Sequence, residues 1–164
     1  MSMSSEMALE NAGGTRSVAV WAQVTPETVD EVCDAVRRSA GLLSVSGARY
    51  SPDTQYAQAG ALHIDVSRLN RVVRLELLTL RVTVQAGIRW FDLLRFLQPH
   101  GLSVRVMPAF ANFTVGGSIS SNQASPHLSS GPVAEGVTAL TLVMADGIVR
   151  TVRPEIDGDL FRAI

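Results

Sequence analysis

Two short glycine-bearing segments hold the residues with the clearest chemical capacity in this chain. The first runs Ser46-Gly47-Ala48-Arg49-Tyr50-Ser51 and the second Thr114-Val115-Gly116-Gly117-Ser118. Small residues let consecutive backbone N–H groups point into one concavity, which wraps an anion without needing charged side chains. Gly116 and Gly117 would let a ligand approach the backbone closely, and a helix opening there would aim free N–H groups and a partial positive charge at a phosphate. Each segment taken singly also fits an ordinary tight turn. Together they point to a phosphate-bearing ligand held by main-chain donors.

Composition excludes several other chemistries. All 14 basic residues are arginine, against 15 acidic ones, and the formal net charge is -1. Without lysine there is no Walker A loop, pyridoxal Schiff base or lysine general base. A near-neutral chain with no arginine cluster lacks the excess charge that displaces counterions from nucleic acid, so none is expected as a partner. No G-x-G occurs, which argues against a Rossmann NAD site. His63, His100 and His127 show no metal-ligand spacing, and neither Ser46 nor Ser118 sits in a nucleophile elbow. The single cysteine, Cys33, falls on an apolar helical stripe and reads as core.

The elements that must position the two segments follow from periodicity. Ser17 to Trp21 reads as a buried strand. A helix follows, with Thr25 as cap, Pro26 in its first turn and Glu27, Asp30 and Glu31 near its N-terminus. Val29, Val32, Cys33, Val36 and Ala40 recur at helical spacing, Arg37 and Arg38 sit at the far end, and Gly41 stops it. Leu42 to Val45 is the next strand. Strand, helix and strand with short joints predict a parallel crossover, and ligands gather at the carboxyl ends of such strands. That is where Ser46 to Ser51 begins.

Further strands are predicted at Ala61 to Val66, Arg71 to Leu77 and Leu80 to Ala86, although the joint between the last two lacks the usual turn residues. Trp90, Leu93, Leu94 and Leu97 mark a helix closed by Gly101. Asp146-Gly147 between two apolar alternating runs predicts a hairpin of Thr141 to Ala145 and Ile148 to Arg153. Residues 1–16 are small and polar enough to predict a disordered lead-in, with no signal-peptide pattern, and no apolar run is long enough to span a bilayer. The expected class is α+β: one domain over 17–164, a small βαβ lobe followed by a larger, mostly antiparallel lobe with helices. The expected location is cytoplasmic.

The order of these pieces resembles a known family. SGARYS after a β-α-β start is followed by VTVQAGIRWFDL, a proline before TVGGSIS, then GP, ADG and DLF. This succession resembles the FAD-binding domain of the vanillyl-alcohol oxidase and para-cresol methylhydroxylase (PCMH) type. It is most similar to FAD-linked oxidases of sugar-like alcohols, such as the aldonolactone oxidases and the decaprenylphosphoryl-ribose oxidase. The resemblance implies that Ser46, Gly47, Ala48, Arg49, Tyr50 and Ser51, with Gln55, wrap the FAD pyrophosphate. It further implies that Thr114, Val115, Gly116, Gly117 and Ser118 lie along the cofactor, with contacts from Ser121 and Asn122 and a lead-in loop containing Pro108 and Ala109.

Three departures from the family pattern shape the expectation. Tyr50 stands where many members have a histidine bonded to the flavin, which implies non-covalent FAD. Ala124-Ser125-Pro126 stands where many have H-G-R. The family continues past D-L-F into a substrate domain carrying the acid–base groups, so a missing C-terminal part is expected and no residue here is assigned as catalytic. The resemblance thus implies the FAD-binding portion of an oxidoreductase acting on a small-molecule alcohol in the complete protein. The alternative is a truncated, non-catalytic relative that keeps the fold as an interaction module.

Overall fold

A parallel pair of strands that ends at one edge organises the molecule. The computed structural model describes residues 7–39, 41–126 and 131–164, so His127 lies outside the described residues. Strands β3 (Ala22–Val24), β4 (Leu43–Ser46) and β5 (Leu62–Asp65) form a parallel sheet in the order β3-β5-β4. Helix α1 (Val29–Arg38) makes the crossover from β3 to β4. β5 is buried along its whole length, as a central strand of a covered parallel sheet must be.

The first strand of that unit differs from expectation. Ser17–Val20 is β2, and it pairs antiparallel with β1 (Met7–Glu10), so residues 7–10 of the expected lead-in are ordered structure. The chain bends at Trp21 and enters the parallel sheet as β3. Leu9, Val18, Val20 and Tyr56 form a small core beneath this pair, and the Tyr56 hydroxyl lies 2.9 Å from the Leu9 carbonyl and 3.0 Å from that of Arg16. Between β1 and β2 the N–H of Ala12 donates to the carbonyl of Arg49 at 2.9 Å, which ties this corner to the first glycine-bearing segment.

Helix α1 starts one turn later than expected. Thr28, not Thr25, is the cap: its hydroxyl accepts from the Glu31 N–H, while the Glu31 carboxylate accepts from the Glu27 N–H. This T-x-x-E arrangement is close to a capping box. Cys33 is buried on the packed face, as expected.

Antiparallel ladders follow as separate two-stranded sheets. β6 (Val72–Glu76) pairs with β7 (Arg81–Val84), and β8 (Leu140–Val143) with β9 (Val149–Val152). The β6–β7 joint does without glycine or asparagine by placing Leu80 at φ 53, in the left-handed region that leucine seldom adopts. Helix α2 (Trp90–Leu97) packs Trp90, Leu93 and Leu97 into the larger core with Ile88, Val106, Val115 and Val133. Helix α3 (Val115–Ser120) follows, capped by Thr114, and α4 (Gly158–Arg162) comes last. The mixed helices and strands fit the α+β class. No helix among the described residues is long and apolar enough to cross a membrane.

Candidate functional site

Two neighbouring strands of the parallel sheet release their chains side by side. Ser46 of β4 and Asp65 of β5 are register partners, so the segments that follow them leave the same edge of the sheet. The second glycine-bearing segment is pressed against the first. A Cβ added at Gly47 would lie 2.3 Å from the Oγ1 of Thr114, so only hydrogen fits there. Thr114 is itself immobilised, 4% exposed with its Oγ1 accepting from the Gly117 N–H. Its backbone bridges to Arg89, and the Trp90 N–H donates to the Phe113 carbonyl, which brings the start of α2 alongside.

A polar cavity of about 310 Å³ lies where these segments meet. Gly47, Ala48 and Arg49 form one wall, and Thr114 closes it. Asp65, Ser67 and Asn70 line it from the end of β5, and Gly87, Arg89 and Asp92 line it from the start of α2 and the turn before it. None of these last six residues was expected in the site, although Gly87, Arg89 and Asp92 lie in the VTVQAGIRWFDL motif. The signal was available: D-V-S-R-L-N follows a strand's carboxyl end, the same rule that marks Ser46 to Ser51. A second cavity of about 270 Å³, mostly apolar, lies beneath α1 and contains none of the expected site residues.

The backbone donors divide sharply between the two segments. Among the described residues, none of the N–H groups from Gly47 to Ser51 donates to a protein acceptor, and Arg49 adopts φ 55. A left-handed residue within such a run is one of the two conformations from which a concave anion nest is built. The start of α3 is different. The Val115 N–H donates to the Ile88 carbonyl, Gly116 to Ala86, Gly117 to the Thr114 hydroxyl and Ser118 to the Thr114 carbonyl. The expectation that this helix start points free N–H groups at a phosphate is therefore corrected. Gly116 serves close packing instead, since a Cβ there would fall 2.8 Å from that of Ala86.

Other expected residues are spread around this centre. The Ser118 hydroxyl is fully buried and accepts from the Trp90 indole N–H at 2.9 Å, and Val115 is in the core, so neither side chain faces the cavity. Ser121 and Asn122 end α3, with the Ser121 hydroxyl donating to the Gly117 carbonyl. Tyr50 meets Phe110 and Phe113 edge to face, with ring centres 5.2 and 5.6 Å away. Pro108 is buried, Ala109 is exposed, and Ser51 and Gln55 are exposed outside the cavity lining.

Behind the cavity the sheet carries a polar face. Gln23, His63 and Ser44 are register neighbours, and Ser46 and Asp65 lie two residues further on the same side. The His63 ring, fully buried, lies 2.8 Å from the Ser44 hydroxyl through Nδ1 and 2.8 Å from the Ser46 hydroxyl through Nε2. A neutral ring has one donor and one acceptor, so one hydroxyl donates to it and the other accepts. Asp65 is equally tied down, accepting from the Ser67 N–H at 2.9 Å and from Gln23 Nε2 at 3.3 Å.

Burial holds the His63 pKa below its ordinary 6.5; the Asp65 carboxylate opposes this and Arg49 reinforces it. The unfolded chain then binds a proton near pH 6.5 that the folded chain still refuses, so stability declines as pH falls from there toward the folded pKa. We expect a lower urea midpoint at pH 5.5 than at pH 7.5. Ring-carbon NMR shifts locate the group directly, and a folded-state midpoint at or above 6.5 would contradict this account.

Comparison with known proteins identifies the family. Residues 21–153 match the model of the FAD binding domain family. The chain is 34% identical over 135 residues to L-gulonolactone oxidase of Mus musculus, covering 82% of this chain and 30% of that protein. It is 36% identical over 119 residues to decaprenylphosphoryl-beta-D-ribose oxidase of Mycolicibacterium smegmatis, covering 71% of this chain and 25% of the relative. Alditol oxidase of a Streptomyces species is 30% identical over 132 residues, at 74% and 30% coverage. The chain spans less than a third of the length of each of these relatives. Its match across both glycine-bearing segments and the strands that carry them places this chain in the FAD binding domain family.

Proposed function

We propose that this chain is the FAD-holding part of a flavin-dependent oxidoreductase that oxidises a sugar-like alcohol. The observation that carries the reading is the run of N–H groups from Gly47 to Ser51 that find no acceptor among the described residues, beginning at a polar cavity lined by Gly47, Ala48, Arg49 and Thr114. Such a concavity suits a diphosphate, which offers several acceptor oxygens and negative charge. The names of the similar proteins, oxidases of a gulonolactone, a phosphoryl-linked ribose and an alditol, support the substrate class.

In this reading Ser46 to Ser51 wrap the pyrophosphate, and the α3 start acts as a wall rather than as an anion site. Gly116 and Gly117 keep that wall thin, and Thr114 fixes its distance from the loop. FAD supplies the hydride acceptor for the carbinol carbon. Tyr50, which forms no such bond to a flavin methyl group, leaves the cofactor non-covalent. The acid–base groups and the substrate-binding part belong to the length that the relatives have beyond this match, completing a two-lobed PCMH-type arrangement.

The non-catalytic alternative draws on a different feature. Leu43 and Val45 are exposed along β4, an edge strand of the parallel sheet, and Leu42 is exposed just before it. Such an edge invites pairing with another segment. An interaction module would use that edge and need no flavin.

One experiment separates these readings. The full chain is incubated with FAD, passed through gel filtration and then precipitated with acid. We expect flavin to co-elute with the protein and to be released into the supernatant. Absence of co-eluting flavin sinks the proposal, and flavin retained on the precipitate refutes non-covalent binding.

A further inference from the structure

We propose that Arg49 and Arg89 form a two-cation clamp on the diphosphate, with Arg89 supplying its cation from the start of α2. The inference rests on the FAD reading above and adds to it a residue outside the glycine-bearing segments.

Both arginines line the same cavity of about 310 Å³. Among the described residues neither makes an ion pair, whereas seven other arginines do. Their backbones are nonetheless fixed. The Arg49 carbonyl accepts from Ala12 while its φ is 55, and the Arg89 carbonyl accepts from the Leu93 N–H while its backbone bridges to Thr114. Anchored backbones with uncommitted guanidinium groups suit an incoming anion, because little order remains to be imposed on binding.

The chemistry distinguishes a diphosphate from a monophosphate. A guanidinium presents a planar fork of donors that matches phosphate oxygens in pairs. The loop amides can serve one phosphate together with Arg49, and Arg89 then faces the second. Asp65 does not compete strongly, since its two carboxylate oxygens already accept from Ser67 and Gln23. Asp92, exposed on the Arg89 wall, balances the cavity's charge and suits a ligand that carries hydroxyl donors beside its phosphates.

The test measures affinity by fluorescence titration of the full chain with FAD, ADP and riboflavin. Arg89→Gln is expected to weaken FAD and ADP about tenfold, to flatten the salt dependence of both, and to leave riboflavin unchanged. Arg89→Lys, which keeps the charge but loses the fork, should fall between. Arg105→Gln, an exposed arginine outside the cavity, is the control. If the unaltered chain binds FAD and Arg89→Gln binds it equally well, the clamp is wrong and the FAD reading stands. If Arg89→Gln weakens riboflavin as much as FAD, the residue does not act on phosphate and the clamp is again wrong. If the unaltered chain binds no FAD, both ideas fall.

Discussion

Gly87→Ala is expected to destabilise the chain by about 3 kcal/mol, near the upper end for a single added methyl. Its Cβ would lie 1.9 Å from the Val66 carbonyl oxygen, 2.8 Å from the carbonyl carbon and 2.9 Å from the Leu69 oxygen. All three are backbone atoms, so no side-chain rotation can relieve the clash. Gly87 is also held in place, its N–H donating to the Leu69 carbonyl at 2.8 Å. Relief requires moving the connection between β5 and β6, which carries Ser67 and Asn70 of the cavity. Urea unfolding of Gly87→Ala beside Gly136→Ala checks this, because a methyl at Gly136 meets nothing within 4 Å. Equal midpoints for the two variants would refute the packing account.

The second large effect falls on binding rather than stability. Gly47→Ala is expected to weaken FAD binding about a hundredfold, roughly 2.7 kcal/mol. The new methyl would sit 2.3 Å from Thr114 Oγ1, 2.8 Å from its Cγ2 and 3.1 Å from its Cβ. Either Thr114 turns away and gives up its cap on α3, or the loop withdraws and its N–H groups lose their common focus. Adding Thr114→Ala removes the two nearest atoms, so the double variant should regain part of the affinity. A titration in which Gly47→Ala matches the unaltered chain, or in which the second change brings no recovery, would show that the contact does not set the loop's position.

What was legible in the sequence was mostly local. Ser46 to Ser51 at a strand's carboxyl end, the Asp146-Gly147 turn with Gly147 at φ 73, the Trp90 helix and the short helix opening after Thr114 all depend on neighbouring residues. What escaped depends on partners distant in the chain. Ser17 to Trp21 reads as the first strand of the parallel unit because nothing local announces that Ser17–Val20 pairs with Met7–Glu10 while Ala22–Val24 pairs with β5. The V-G-G segment looked like an anion site because Ala86 and Ile88, whose carbonyls consume its N–H groups, lie almost thirty residues earlier. Arg89 and Asp65 became neighbours of the loop only through the strand order β3-β5-β4 and the bridge to Thr114. Thr28 is a plainer case: its T-x-x-E signature competes with the Thr25-Pro26 start signal one turn earlier, and the hydrogen bond to the Glu31 N–H goes to Thr28.

The hydrogen bond from Ala12 to the Arg49 carbonyl changes how the chain's beginning should be treated. Residues 7–16 contribute an edge strand, part of a small core through Leu9, and an anchor on the residue whose left-handed conformation shapes the loop. Shortening the chain to residue 17, as its small polar start invites, would therefore edit the first glycine-bearing loop from more than thirty residues away. A tidier, shortened protein that had lost flavin would then say nothing about whether the intact chain holds it.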